Sequence, residues 1–315
     1  MISLFNIPTY NIDTSKFSNL LHDDIVDKFT ENFLDYVNMP YGCAINSATN
    51  AIFLLAYYRK FNFEIPTMLP LVVQNALTHA KARYKFKDDP YWIGNSYIMN
   101  SDDMQLIDSA QWVDRQPRLK NTTCIYSFYP TKPVGSCDGG MIASTDKNLI
   151  DFLKIIVYNG TTQKNNSWER ERIIPGWKMY MNSIQAYIAN ENLKKLDEKY
   201  VKLSNVKLQY DVELSRFNFL SKHLYIILVY DNKKFVEYMS KNGIQCGIHY
   251  KCLHKDLSCP TWSNIYQSFP KSEYFENKVV SIPFHENLTE RDIEVVIRWT
   301  KMSGMLIPSN DIKSF

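Results

Sequence analysis

Between Tyr126 and Ile142 the chain runs Tyr-Ser-Phe-Tyr-Pro-Thr-Lys-Pro-Val-Gly-Ser-Cys-Asp-Gly-Gly-Met-Ile. One lysine, Lys132, stands between a short aromatic run and an acid followed by two glycines. Proline fixes the chain beside it, and the glycines mark places where only backbone fits. A lone lysine is ordinarily a solvated surface charge. A second element upstream, Leu106-Ile107-Asp108-Ser109-Ala110-Gln111, shifts that reading.

Met104 to Ile107 reads as a short buried strand that ends in an aspartate. In open α/β sheets, carboxylates at the C-terminal ends of strands face the ligand crevice. Lysine and carboxylate together suit one chemistry. A lysine amine forms a Schiff base with the aldehyde of pyridoxal phosphate, and a paired anion keeps the pyridine nitrogen protonated so that the ring absorbs electrons. Ser127 suits the phosphate, and Gln111 stands where it donates to the ring phenolate oxygen. Taken alone, Asp108 reads equally as a turn residue or helix cap.

The ordered set Asp-x-x-Gln, Ser-x-x-x-x-Lys, then an acid and Gly-Gly six to eight positions after the lysine resembles the nucleotide-sugar aminotransferases. These are the DegT/DnrJ/StrS group of fold-type I pyridoxal phosphate enzymes. The lysine-to-glycine block matches without a gap, and the likeness extends over nearly the whole chain. It implies an α/β fold: a large, mostly parallel α/β/α sheet domain over residues 1–203 and a smaller C-terminal α/β domain over 204–315. Lys132 would hold pyridoxal 5'-phosphate, with pyridoxamine 5'-phosphate in the cycle, and Asp108 would keep the ring nitrogen charged. The partners implied are an amino-acid donor, glutamate, and a nucleotide-linked keto-sugar.

Other segments read physically and by the same resemblance. Gly42 to Ile52 looks like strand, tight turn and helix start, and a helix N-terminus suits phosphate. Ser47-Ala48-Thr49 stands where the family has Ser-Gly-Thr, so Thr49, Asn50 and Ser127 would hold the cofactor phosphate. An ordinary N-cap on a core helix is the plainer reading of that turn. Gly176 to Ala186 resembles the segment that crosses the family's dimer interface, which implies a homodimer with shared sites. Lys178 replaces the family's asparagine there, and a lysine still serves a phosphate as a less directional charge. His249 and Tyr250 fall at the family's His-Tyr, implying the substrate side of the cleft.

Two departures stand out. Pro70 falls where the family has an aromatic stacked on the cofactor ring, so either the correspondence slips or another aromatic fills the place. Residues 89–103 leave room for one short connection where the family has a whole strand-helix unit, so a narrower sheet is expected. These departures motivate an alternative: a family member that binds the cofactor for a regulatory or degenerate, non-transaminase role. Relatives that dehydrate sugars replace the lysine with histidine, and Lys132 argues against that use.

Beyond the motifs, Ala186, Ala189, Leu193, Leu196, Tyr200 and Leu203 recur at helical spacing and predict one long core helix. Leu224–Tyr230 and Val279–Ile282 read as strands. Lys234–Lys241 reads as a helix stopped at Asn242-Gly243, and Thr289 as the cap of a last helix. The net charge of +3 is too small to argue for nucleic acid, and no apolar run is long enough to span a bilayer. The N-terminal residues show no charged leader. Six cysteines without paired spacing fit reduced thiols in a cytoplasm. Cys246, His249, Cys252, His254 and Cys259 cluster in sequence, but without the pair spacings of a zinc site, so no metal is expected.

Overall fold

The computed structural model describes the chain except residues 60, 116–118, 165, 215–220, 257–266, 309–310 and 312–315. Helix α1 (Ile25–Val37) leads into strand β1 (Tyr41–Ile45), helix α2 (Ala48–Tyr58), strand β2 (Phe63–Pro66), helix α3 (Leu71–His79) and strand β3 (Tyr84–Lys87). Four strands follow: β4 (Tyr97–Ile98), β5 (Gln105–Asp108), β6 (Thr122–Ser127) and β7 (Gly140–Ser144). Helices α4 (Lys147–Val157), α5 (Ser183–Lys194) and α6 (Leu196–Glu213) complete the first part. The remainder is β8 (Tyr225–Leu228), α7 (Asn232–Lys241), α8 (Pro270–Glu276), β9 (Val279–Ile282) and α9 (Glu290–Met302).

The central sheet has the order β1-β7-β6-β5-β4. β5 and β6 are parallel, and the other three pairings are antiparallel. The parallel pair β2-β3 joins its β4 edge, because Phe63 bridges Asn100 in antiparallel sense and the Glu64 N–H donates to the Met99 carbonyl at 2.8 Å. Followed through these pairings, β1, β2, β3, β5 and β6 run one way and only β4 and β7 run back. Five of the seven strands thus share one direction, but β4 and β7 lie inside the sheet, so most of the pairings are antiparallel where a mostly parallel sheet was expected. The sheet is continuous from β1 to β3 despite the short 89–103 connection. The short 89–103 connection itself supplies β4, and the Met99 N–H donates to Leu106 across the gap at 2.7 Å.

Period-two alternation puts the two faces of the sheet into separate cores. Ile125 and Ile142 pack with Ile45, Leu54, Leu77 and Leu153 beneath α2, α3 and α4. Cys124, Tyr126, Met141 and Ala143 point the other way, onto α1, α5 and α6. There the Tyr126 ring meets Phe33 edge to face at 4.9 Å. Ala186, Ala189, Leu193, Leu196, Tyr200 and Leu203 all lie in this second core.

The single long helix expected through those residues is in fact two. Lys195, at φ −99° and ψ 0°, closes α5 with its N–H on the carbonyls of Asn192 and Leu193. Asp197 and Glu198 then occupy the first turn of α6, where the positive end of the new helix dipole favours them. The division expected at 203/204 falls inside continuous α6. Strand β8, helix α7 and strand β9 form where expected, Gly243 takes φ +76° after α7, and Thr289 caps α9 in a reciprocal box with Asp292. The first residues join this C-terminal part: the Ile2 N–H donates to Gly243 O, and the Gln245 N–H to Ile2 O.

Candidate active site

Asp108 ends β5 and is 5% exposed. Its Oδ1 accepts the Ala110 N–H at 2.9 Å, and its Oδ2 accepts the Tyr97 hydroxyl at 2.8 Å. Both donors are neutral, and Asp108 makes no ion pair among the described residues. Burial pushes its carboxyl up, while the two hydrogen bonds and the charge of Lys132 pull it back. A buried carboxylate whose charge lacks a directly bonded cation favours a cationic group beside it.

Lys132 lies on the loop between β6 and β7. That loop is closed by the Lys132 N–H on Tyr129 O and the Ser136 N–H on Phe128 O. The partly buried amine makes no hydrogen bond or ion pair among the described residues. Burial pushes it down to about 8, against the opposing charge of Asp108. A substantial fraction is therefore neutral, and hence nucleophilic, near physiological pH.

Ser127 and the Ser47-Ala48 turn that opens α2 both lie against Gly140. In the strand register Gly140 pairs with both Ser127 and Ile45, so it separates Ser127 from the turn leading to α2. Ser47 caps α2 by accepting the Asn50 N–H at 3.2 Å, and the Asn50 amide donates to Asn46 Oδ1. The N–H groups of Ala48 and Thr49 find no acceptor among the described residues, as expected of a first helical turn. A Cβ on Gly140 would come within 2.7 Å of the Ala48 nitrogen and 2.9 Å of the Ser47 carbonyl carbon. Gly140→Ala is expected to lower stability by about 1–3 kcal/mol through overpacking, read by thermal or urea denaturation.

Gln111 is already engaged. Its carbonyl accepts the Gly94 N–H at 2.9 Å, and its amide donates to the Tyr250 hydroxyl at 2.8 Å. One amide hydrogen therefore remains for a ligand. Trp92 lies parallel to Tyr250 at 5.9 Å, meets Tyr97 edge to face at 4.6 Å, and donates its indole N–H to Met68 O. Pro70, by contrast, precedes the first turn of α3. The aromatic rings that act on Asp108 are thus Tyr97 and Tyr250, with Trp92 packed on both.

His249 bonds Ser281 Oγ through Nδ1 at 2.8 Å, and burial together with Lys132 pushes it down to about 4. His223 stacks on Phe5 at 5.5 Å, and burial with the charge of Lys132 holds it well below the usual histidine range. Both imidazoles are neutral at pH 7. His254 is bound to Thr67 Oγ1 at 2.6 Å, while Cys259 lies outside the described residues. Among the described residues no group of three or more His, Cys, Asp or Glu side chains is arranged to hold a metal. Lys178 is next to Met179, whose carbonyl accepts the Asn46 N–H at 2.8 Å beside the turn into α2. It is exposed on a segment that bridges Tyr158, and its charge acts on His22.

The chain as a whole resembles known proteins. A profile of the DegT/DnrJ/EryC1/StrS aminotransferase family matches residues 110–300, more than half of the chain. This chain belongs to the DegT/DnrJ/EryC1/StrS aminotransferase family. It is 24% identical to a UDP-4-amino-4,6-dideoxy-N-acetyl-beta-L-altrosamine transaminase of Campylobacter jejuni subsp. jejuni serotype O:23/36 (strain 81-176), covering 91% of this chain and 94% of that one. That alignment runs over 361 positions, more than the 315 residues here, so the relative carries segments that this chain lacks. The fold matches the putative sugar aminotransferase Spr1654 of Streptococcus pneumoniae, solved in PLP and PMP forms. The TM-score is 0.78 at 17% identity, over 95% of this chain and 98% of that one. It also matches Helicobacter pylori PseC, an aminotransferase of pseudoaminic acid biosynthesis, with a TM-score of 0.77 at 17% identity over 95% and 98%.

Sequence reasoning about this aminotransferase missed Tyr97, Trp92 and His223. All three lie outside its motifs. The available signal was indirect: an aspartate closing a buried strand needs donors, and Tyr97 lies in the segment that precedes that strand.

Proposed function

We propose that this family member is a pyridoxal-phosphate-dependent enzyme that moves an amino group from an amino acid, glutamate by family resemblance, to the ketone of a nucleotide-linked sugar. The observation that carries the cofactor assignment is the combination of buried Asp108, held by neutral donors, with a Lys132 amine that has no hydrogen-bond partner among the described residues. The donor set fits pyridoxal phosphate: Lys132 for the aldehyde, Asp108 for the ring nitrogen, Gln111 for the ring oxygen, and Thr49, Asn50 and Ser127 for the phosphate. The PLP and PMP forms of Spr1654 support it, and the name of the Campylobacter relative supports a nucleotide-linked sugar.

Bound there, the cofactor supplies an aldehyde that carries the amino group and a ring that takes up electrons. The protein does the rest. Asp108 holds the proton on the ring nitrogen, the Lys132 amine takes the proton from the donor Cα and returns it, and neutral His249 with Tyr250 faces the sugar. Free thiols at Cys43, Cys124, Cys137, Cys246 and Cys252 support a cytoplasmic setting, and no described helix is long and apolar enough to cross a membrane. Adding glutamate to the purified holoprotein should shift the absorbance of the lysine-linked cofactor to shorter wavelength, and a suitable nucleotide keto-sugar should shift it back. Cofactor retained without any response to amino donors would favour the regulatory alternative.

A homodimer with shared sites is part of the reading. Exposed Tyr57 and Trp177 meet edge to face, and Leu71 and Val72 are exposed on α3, which packs against α2, so an apolar surface accompanies Lys178. If Lys178 reaches the phosphate of the neighbouring subunit, Lys178→Ala weakens cofactor affinity about tenfold, and the loss shrinks as salt rises. Mixing Lys132→Ala with Lys178→Ala subunits should then recover activity in one site of each mixed dimer. No recovery despite demonstrated exchange would remove Lys178 from the shared site.

A further inference from the structure

Strand β4 stands where the resemblance leads one to expect a strand-helix unit, and it brings a buried phenol to Asp108. Tyr97 is the direct antiparallel partner of Asp108 in the β4-β5 register. Both residues are 5% exposed, and the Tyr97 hydroxyl lies 2.8 Å from Oδ2. The other oxygen, Oδ1, is taken by the Ala110 N–H. Each carboxylate oxygen therefore has its own donor from a different direction, and the group is not free to turn. The phenol is itself locked. Trp92 packs against its ring at 4.6 Å, and the Lys87 ammonium sits 5.9 Å from the ring centroid while donating to Ile98 O.

We infer that Tyr97 is a positioning residue for Asp108: its hydroxyl fixes the rotation of the carboxylate and solvates its charge in place of water. The charged or titratable groups that act on Asp108 are Lys132 from the β6-β7 loop, Tyr97 from β4 and Tyr250 from the C-terminal part. Of the two phenols, only Tyr97 bonds the carboxylate directly. Burial and the Asp108 charge hold the Tyr97 phenol well above its ordinary range, so it remains a donor at any working pH. The role of Tyr97 toward the cofactor rests on the functional reading above; its role toward the carboxylate does not.

The test uses the full chain in two measurements. In the cofactor-free protein, carbon-13 labelling of aspartate carboxyls follows the titration of Asp108, whose signal is assigned by its loss in Asp108→Asn. Tyr97→Phe keeps the ring and its packing on Trp92, and is expected to raise the Asp108 midpoint by about one pH unit or more. A merely structural role would leave that midpoint in place, and an unmoved midpoint overturns the inference. Pyridoxal phosphate is then titrated into both proteins. Tyr97→Phe should weaken its binding about tenfold, whereas adding Tyr97→Phe to Asp108→Asn should cost nothing further. A moved midpoint with unchanged affinity overturns the cofactor half. A midpoint moved by Tyr97→Phe, together with a wild-type protein that takes no pyridoxal phosphate, leaves Tyr97 as the clamp on Asp108 and sinks the functional reading instead.

Discussion

Lys132→Ala is expected to abolish transamination outright while leaving part of the noncovalent affinity for pyridoxal phosphate. Borohydride treatment of the wild type should fix the cofactor on Lys132, as located by peptide mapping, and an adduct on another lysine would overturn the assignment. The pH dependence gives an independent check. Attachment needs the neutral amine, and burial holds Lys132 at about 8. The rate at which apoprotein captures the cofactor should therefore rise with pH and level off above about 8, whereas an ordinary lysine would keep gaining toward roughly 10.4. The same depression bears on folding. Between those two pH values the unfolded chain holds the proton that the folded chain has released, so stability rises with pH across that window. In Lys132→Ala that part of the slope should be missing from urea titrations.

Asp108→Asn should lower turnover by several orders of magnitude with the fold preserved. The amide keeps the shape of the side chain but removes the charge, and in a site this dry an anion is worth far more than in water. The ring nitrogen would lose its proton, visible as an altered absorbance of the bound cofactor. Steady-state rates near wild type in this variant would mean that Asp108 has no contact with the ring. Lys132→Ala removes the covalent link and the proton carrier together, while Asp108→Asn removes only the electron sink. The two variants should therefore differ in kind: the second still forms the covalent attachment, which borohydride trapping checks.

Much of the candidate site was legible because its determinants are local. Asp108 closes a strand, Ser47 caps a helix and Lys132 sits in a fenced loop, each within a dozen residues of its own explanation. Tyr97 and Trp92 were not legible, because their meaning depends on where β4 pairs, and nothing in a two-residue strand announces its partner. The missing strand-helix unit pointed to a narrower sheet; backbone groups at a buried edge need partners, and residues 97–100 supply them. The ties of Gln111 to Gly94 and Tyr250 were not legible either, because they depend on contacts 17 and 139 residues away. The break at Lys195 escaped because the apolar spacing continues through it, and spacing reports which face is buried, not whether the axis is straight.

The pairing of the first residues with the C-terminal part carries a consequence for how the protein is made. Leu4 bonds Gln245, 241 residues along the chain, and Phe5 stacks on His223, one of the imidazoles acted on by the Lys132 charge. Synthesis releases the Leu4 segment 241 residues before its partner Gln245. The strands around Lys132 can therefore assemble while this segment still has nothing to dock on. The contact that sets Phe5 against His223 is then a late event, made only once both segments are present.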